Sequence, residues 1–285
     1  MGSMIPTVGV IGMGFVGGSI FKGFNLYCHV QGYDVDAGKS VNTLDEVAGN
    51  DYIFIALPTP METVEGGRAS VHLIDQAISD VLSSDGYNGG VIVIKSTVPP
   101  GTTDRLIDKY DWELICHSPE FLTERAALAD FLTPSRHIVG ARCFEASEKM
   151  ERLYNYRFPG VPVMHMNPIS AELVKYGGNC FFATKIMYFN ELYAICESVG
   201  ANWNDVLCGV MADGRIGHSH NQVPGHDGEL GFGGKCFPKD INALMAIAGD
   251  HCMPLAVMEA AWKENLHIRD RHDWADIKGA VMEKE

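Results

Sequence analysis

The chain has 285 residues, 46% of them hydrophobic and 20% charged, which suits a globular fold with a sizeable core and excludes a disordered chain. With 36 acidic against 22 basic residues the formal net charge is −14, so nucleic acid and anionic membrane, both polyanions, are excluded as partners. An anionic small molecule would need a local basic pocket.

Met1-Gly2-Ser3 ahead of Met4 reads as a cloning remnant and is left out of fold reasoning. No basic region followed by an apolar run opens the chain, and no apolar run nears the roughly 18–20 residues that span a bilayer. The eight cysteines include no C-x-x-C pair, and most have apolar neighbours, as in a reduced, cytoplasmic protein.

From Met4 to Met166, short apolar runs alternate with helical stretches. The expected strands are Thr7–Ile11, Val30–Val35, Tyr52–Leu57, Val91–Lys95, Glu113–Cys116, His137–Val139 and Val161–Met164. Val71–Leu82 and Phe144–Tyr156 are among the helices between them. Continuous apolar strands alternating with helices predict an α/β fold whose sheet is covered on both faces.

Gly12-Met13-Gly14-Phe15-Val16-Gly17 follows the first strand and opens a helix. Such glycines let backbone N–H groups approach a pyrophosphate at the helix N-terminus. Asp34 ends the next strand, roughly 20 residues on, where a carboxylate meets the adenosine ribose; Asp36 ranks second. No arginine follows closely, which favours NAD over NADP. Together these features predict a Rossmann-type doubly wound parallel sheet.

At Asn167 the pattern changes. Asn167-Pro168 is a helix start, and Ser170–Ser198 reads as one long helix. Its stripe of Leu173, Phe181, Phe182, Ile186, Phe189, Leu192 and Ile195 is expected to be core or a subunit seam. Further helix is expected within Ala201–Ala248 and over Pro254–Arg269, around a glycine-rich loop. The expected domains are therefore an NAD-binding domain over 4–166 and a mainly helical dimerisation domain over 167–285.

Gly231-Phe232-Gly233-Gly234-Lys235-Cys236-Phe237-Pro238-Lys239-Asp240 carries the chemistry. A free cysteine is usually a small core residue. Here two lysines flank the thiol and a helix begins near Lys239-Asp240, a setting that lowers a thiol pKa. His218, His220 and His226 lie in a polar loop without metal-ligand spacing, so no metal is expected.

This segment resembles the nucleophile motif of the UDP-glucose/GDP-mannose 6-dehydrogenase family. Pro58-Thr59-Pro60, Lys95–Thr102, Ser118–Glu124, Ser135-Arg136, Ala171–Asn179, Asn190-Glu191 and Arg215–Gly217 resemble that family's blocks in the same order. The resemblance implies an NAD-dependent oxidation of a nucleotide-sugar primary alcohol to a uronate. UDP-glucose is the leading substrate and GDP-mannose the runner-up; a non-catalytic NAD-binding dimerisation subunit is the alternative from another class. Cys236 would trap the aldehyde as a thiohemiacetal, which is oxidised to a thioester and hydrolysed.

By the same resemblance, Lys175 and Asn179, i and i+4 on the long helix, steady the developing oxyanion. Glu120, Thr97 and Asp240 serve the hydrolytic step. Glu120 and Glu124 read as a second i, i+4 pair beyond the strand ending at Cys116. Lys39, Pro58, Thr59, Thr97 and Glu124 join the glycine turn and Asp34 as cofactor contacts. Glu120, Phe121, Leu122, Lys175, Asn179, Arg215, Phe232, Gly233 and Lys239 are the substrate contacts, with Arg215 reaching across a homodimer.

Three departures from the family stand out. The Asp36–Tyr52 segment is short, so its crossover helix should be small. The Arg215–Cys236 loop is long, with Val223–Gly228 as the apparent extra. The family's second α/β domain has no counterpart in this sequence.

Overall fold

The computed structural model describes residues 5–282, so Met1–Met4 lie outside the described residues. The described residues form two compact units, residues 5–59 with 70–175, and residues 60–69 with 176–282.

The first unit is built on a seven-stranded sheet in the order β2-β1-β3-β6-β7-β8-β9. Its strands are β1 (Thr7–Ile11), β2 (His29–Tyr33), β3 (Tyr52–Ile55), β6 (Val91–Ile94), β7 (Ile115–His117), β8 (His137–Ala141) and β9 (Val163–Met166). Every neighbouring pair is parallel except β7 with β8, where Cys116 faces Ala141 and His117 faces Gly140. The sheet is thus mixed rather than wholly parallel, and it keeps the covered faces that its apolar strands demand.

Alternation along the strands divides the core. Tyr52, Phe54, Val91 and Val93 join Ile20, Phe24 and Met150 in one cluster; Ile53, Ile55, Ile92 and Ile94 join Ile74, Ile78 and Leu106 in another. The helices of this unit are α1 (Phe15–Phe24), α2 (Leu44–Ala48), α3 (His72–Ser83), α4 (Thr102–Tyr110), α5 (Ala127–Leu132), α6 (Phe144–Arg157) and the start of α7 (Pro168–Val199). The crossover α2 is five residues long, as the short segment requires, and is held by a reciprocal cap between Thr43 and Glu46.

Several strand ends differ from the expected ones for local reasons. β2 stops at Tyr33 because the Asp34 carboxylate accepts the N–H groups of Met13 (2.7 Å) and Asp36 (2.9 Å), which pulls the chain out of the ladder. β3 stops at Ile55; two residues on, the Leu57 N–H binds Ser96 Oγ at 2.9 Å.

The second unit holds the rest of α7 with α8 (Trp203–Met211), α9 (Phe237–Asp250) and α10 (Ala256–Ile268). It also takes in a hairpin the sequence did not announce, β4 (Met61–Thr63) with β5 (Gly66–Ala69). Trp262 Nε1 donates to the Glu65 carbonyl at 3.2 Å and Trp274 Nε1 to the Val64 carbonyl at 2.8 Å. Met61 pairs by backbone with Ala280 and Met282, and its side chain lies in a core with Met187, Trp262 and Trp274. Three- and four-residue strands of mixed polarity have no hydrophobic period, so these tertiary partners decide their structure.

Candidate functional site

The glycine turn lies at the carboxyl end of β1, where β2 and β3 lead off to opposite sides, the place at which open α/β sheets bind ligands. Gly12 has φ +89°, and a Cβ there would meet the Ala56 carbonyl at 2.6 Å. A Cβ on Gly17 would lie 1.8 Å from the Gly12 carbonyl oxygen, so only glycine lets α1 start so close to the strand. At Gly14 a Cβ would meet nothing within 4 Å. That opening sits over the N-terminus of α1, where no side chain caps the helix.

A cleft of ≈ 770 Å³ is lined there by Met13, Gly14, Phe15, Lys39 and Glu124 among others. Asp34 Oδ2, bound to the Met13 N–H, keeps lone-pair capacity for hydroxyl donors. Val16 is half-buried, and Lys39 also pairs with Asp36 at 3.3 Å. An open backbone, an uncapped helix start and a fixed carboxylate fit a dinucleotide.

Further along the same sheet edge, Thr59 Oγ1 donates to the Thr97 carbonyl at 2.8 Å, and Ser96 Oγ to the Leu57 carbonyl at 2.7 Å. Pro58, Thr59 and Thr97 are thereby fixed at the ends of β3 and β6. Beyond β7, Glu120 and Lys175 form an ion pair of 2.9 Å, with side chains 8% and 5% exposed. Glu120 Oε2 also accepts the Leu122 N–H at 2.5 Å. The Phe121 ring has the Arg136 guanidinium over it at 4.2 Å and Lys175 Nζ at 5.8 Å.

The expected i, i+4 pairing of Glu120 with Glu124 does not form. Residues 118–123 are not helical: Pro119 disfavours helix at its neighbour, and the Glu120 side chain captures a local N–H. Glu120 is buried, whereas Glu124 starts a 3₁₀ turn on the exposed rim of the glycine-turn cleft.

Sequence reasoning gave no role to two buried charged residues of this unit, of which Lys95 stands beside this pair. Lys95 is fully buried; its Nζ donates to the Pro119 carbonyl at 3.1 Å and lies 3.4 Å from Tyr154 Oη. Burial lowers its pKa to about 8, opposed by the charge of Glu120. Glu172 caps α4, accepting the N–H groups of Gly101 (2.6 Å) and Thr103 (2.8 Å) and the Thr103 hydroxyl (2.6 Å). Its burial pushes the carboxyl up to about 7. The signal for Lys95 was its place at the end of the all-apolar run Val91–Ile94, where an ammonium is costly without partners. Glu172 gave no such signal, since its partners lie far away in sequence.

In the second unit, Cys236 is half-buried and occupies the N-cap position of α9 without spending its side chain on a cap. The helix starts at Phe237 rather than at Lys239-Asp240, because Pro238 is accommodated in the first turn. Asn179 Nδ2 donates to Asp240 Oδ2 at 2.6 Å, and buried Lys239 pairs with the other Asp240 oxygen. The Lys239 charge is therefore matched within its own turn. Burial pushes the thiols of Cys28, Cys116 and Cys180 up to about 11, 12 and 12, which removes them as nucleophiles.

The remaining expected contacts fall into two groups. Phe232 is buried against Trp262, and both its backbone groups bind Asn265, while Gly233 lies against Arg269 and Asp273. Arg215 is 89% exposed and paired with Asp213 at 2.5 Å. His220 stacks on Phe182 at 4.1 Å, and no group of three metal-ligating side chains occurs among the described residues. No helix among them is long and apolar enough to cross a membrane.

Residues 39–157 match the profile of the UDP-glucose/GDP-mannose dehydrogenase family, NAD binding domain, and residues 169–267 match that family's central domain. The chain belongs to the UDP-glucose/GDP-mannose dehydrogenase family. It is 36% identical to a UDP-glucose 6-dehydrogenase of Rickettsia prowazekii over 78% of this chain and 50% of that protein. It is 37% identical to UDP-glucose 6-dehydrogenase TuaD of Bacillus subtilis over 79% of this chain and 49% of that protein. The chain thus spans about half the length of the curated relatives it matches. A UDP-glucose dehydrogenase structure from Pyrobaculum islandicum superposes with a TM-score of 0.80 at 28% identity, covering 93% of this chain and 69% of that one. A 3-hydroxyisobutyrate dehydrogenase of Mycobacterium tuberculosis shares the fold alone, with a TM-score of 0.74 at 17% identity over 97% of both chains. Cys236, Lys175, Asn179 and Asp240 all lie inside the segment that matches the UDP-glucose/GDP-mannose dehydrogenase central domain.

Proposed function

We propose that the protein oxidises the primary alcohol of a nucleotide-sugar to a carboxylate in two NAD-dependent steps, with UDP-glucose as the substrate and UDP-glucuronate as the product. The observation that carries this reading is the state of Cys236, half-buried at the start of α9, in a chain whose other candidate thiols are mostly buried. NAD, when bound, accepts one hydride in each oxidation. Removing a hydride and a proton from the CH₂OH gives an aldehyde, to which the Cys236 sulfur adds as a thiohemiacetal. Loss of a second hydride and proton leaves a thioester. Water then cleaves the C–S bond, releasing the carboxylate and restoring the thiol. Lys175 and Asn179 donate to the oxyanion that develops at the sugar carbon, worth ~3 kcal/mol per preorganised donor. Glu120, aided by Thr97 and Asp240, orients the hydrolytic water. Lys235 supplies positive charge for an anionic substrate and Arg215 extends toward a partner subunit, whereas Lys239, buried and paired with Asp240, spends its charge there.

The same reading makes the protein a cytoplasmic homodimer. Phe181, Tyr188, Ile195 and Val199 lie along one face of α7 and are 53–69% exposed, an unusual face for a lone chain. The remaining residues of the expected stripe divide: Phe189 is buried, Phe182, Ile186 and Leu192 are half-buried, and Leu173 is exposed. A monomeric mass in light scattering would remove the dimer.

Purified protein incubated with NAD and UDP-glucose should form two NADH per sugar oxidised, and none with UDP-galactose. GDP-mannose as the active substrate would move the assignment within the family. Cys236→Ala should abolish net oxidation and keep NAD binding. No NADH with any of the three sugars would favour a non-catalytic NAD-binding subunit.

A further inference from the structure

The segment Val223–Gly228, set apart in the sequence, forms a closed turn in which the Gly225 N–H binds the Glu229 carbonyl at 2.8 Å and the Gly228 N–H binds the Gly225 carbonyl at 3.0 Å. Val223 anchors one end in a cluster with Phe189 and Met211. At the other end, Asp227 Oδ2 accepts from Arg269 Nη2 at 2.6 Å. The Arg269 side chain is 1% exposed, and the same Nη2 reaches Asp273 Oδ1 at 3.0 Å while Nη1 donates to the Leu230 carbonyl at 3.2 Å. The second Asp273 oxygen accepts the Gly234 N–H at 3.0 Å. Asn190 takes the Gly231 N–H at 3.0 Å, and Asn265 takes that of Phe232 at 2.7 Å.

The turn held in this way is Gly231-Phe232-Gly233-Gly234, which leads through Lys235 into Cys236. Three glycines in four residues give it little rigidity of its own, because glycine backbone has the most freedom to lose. Its shape must come from outside. At Gly233 a Cβ would lie 2.2 Å from Asp273 Oδ1 and 2.3 Å from Arg269 Nη2, so the backbone rests directly on the ion pair. Asp227 and Asp273 both sit within bonding reach of one nitrogen. Without the guanidinium between them they would repel, and the turn would lose its support on both sides.

We infer that Arg269, clamped between Asp227 and Asp273, is a positioning residue that fixes the glycine turn and so sets the placement of the Cys236 thiol. Only the importance of that thiol rests on the proposed oxidation; the brace itself does not. The Val223–Gly228 turn then has a task, which is to deliver Asp227 to the buried cation.

Amide hydrogen exchange and site-resolved iodoacetamide alkylation, both read by mass spectrometry, test this on the full chain without turnover. In R269M, peptides covering residues 229–236 should exchange at least tenfold faster, and alkylation of Cys236 should change threefold or more. Peptides from α7 and α8, and alkylation of the exposed Cys208 and Cys252, should stay as in the parent. D227N should give a smaller effect in the same peptides, because Asp273 still holds the guanidinium. R269K, with one charged nitrogen in place of a fork, should recover part of the protection. Unchanged exchange at 229–236 in folded R269M and D227N would overturn the inference. So would a rise spread evenly over residues 176–282, which would mark Arg269 as a general fold residue. A failed brace leaves the Cys236→Ala assay intact, and an inactive protein leaves the exchange result intact, so the two failures are distinguishable.

Discussion

Replacing Lys175 by methionine should expose how the buried charges around Glu120 depend on one another. The Lys175–Glu120 pair is 2.9 Å long with both side chains under a tenth exposed. Breaking such a pair from one side costs ~3–5 kcal/mol, because a charge is left in a medium that solvates it poorly. K175M should fall at the low end, about 3 kcal/mol, since the buried Lys95 still interacts favourably with Glu120. E120Q should fall at the high end, about 5 kcal/mol, because it leaves two buried ammonium groups without their shared carboxylate. The double variant removes one charge of each sign. It should be less destabilised than the sum of the singles by at least ~2 kcal/mol, within the range measured for residues in direct contact. Urea unfolding of the four proteins reads this, with equal m values as the check that one transition is being compared. Additivity to within ~0.5 kcal/mol would refute the idea that Glu120 and Lys175 form one electrostatic unit.

Other expectations are independent of that pair. His117 and His137 are buried, and burial, followed by the Lys95 charge, lowers each ring from 6.5 to about 3. Both rings bind protons only after unfolding in that range, so stability present above pH 6.5 is lost as pH falls toward 3, at ~1.4 kcal/mol per pH unit per ring. H137F, which keeps a ring against Tyr154, should lower that slope by ~1.4 kcal/mol per pH unit in urea titrations at several pH values, whatever opposing slope Glu172 adds; an unchanged slope would show that His137 is not held neutral. At the glycine turn, G14A should keep its melting temperature and lose NAD binding tenfold or more by calorimetry, because its Cβ enters open space where a pyrophosphate would approach. G17A should instead fail to fold or melt far lower, as its Cβ collides with the Gly12 carbonyl. Trp274→Ala should cost ~3–5 kcal/mol by urea denaturation, since the 1% exposed indole fills the core beneath the hairpin and bonds the Val64 carbonyl. A loss under ~1 kcal/mol would mean that the hairpin is not held by that ring.

Local chemistry made much of this protein legible from its residues. Continuous β-branched and aromatic runs such as Tyr52–Ile55 and Val91–Ile94 between helical stretches fit strands covered on both sides, and Gly12 and Gly17 permit a turn that other residues would block. Asn167-Pro168 opens α7 as its capping chemistry requires. The ordered blocks from Pro58 to Asp240 point to one family because most place a reactive or charged residue in a defined local frame. Tertiary structure alone decided the rest. Whether Glu120 faces Glu124 or Lys175, whether β8 runs with or against β7, and where residues 60–69 attach all depend on partners distant in sequence. Periodicity and spacing report only which side of an element is apolar. A buried charge such as Lys95, Glu172 or Arg269 is stable only through the groups that surround it, and the fold chooses those groups.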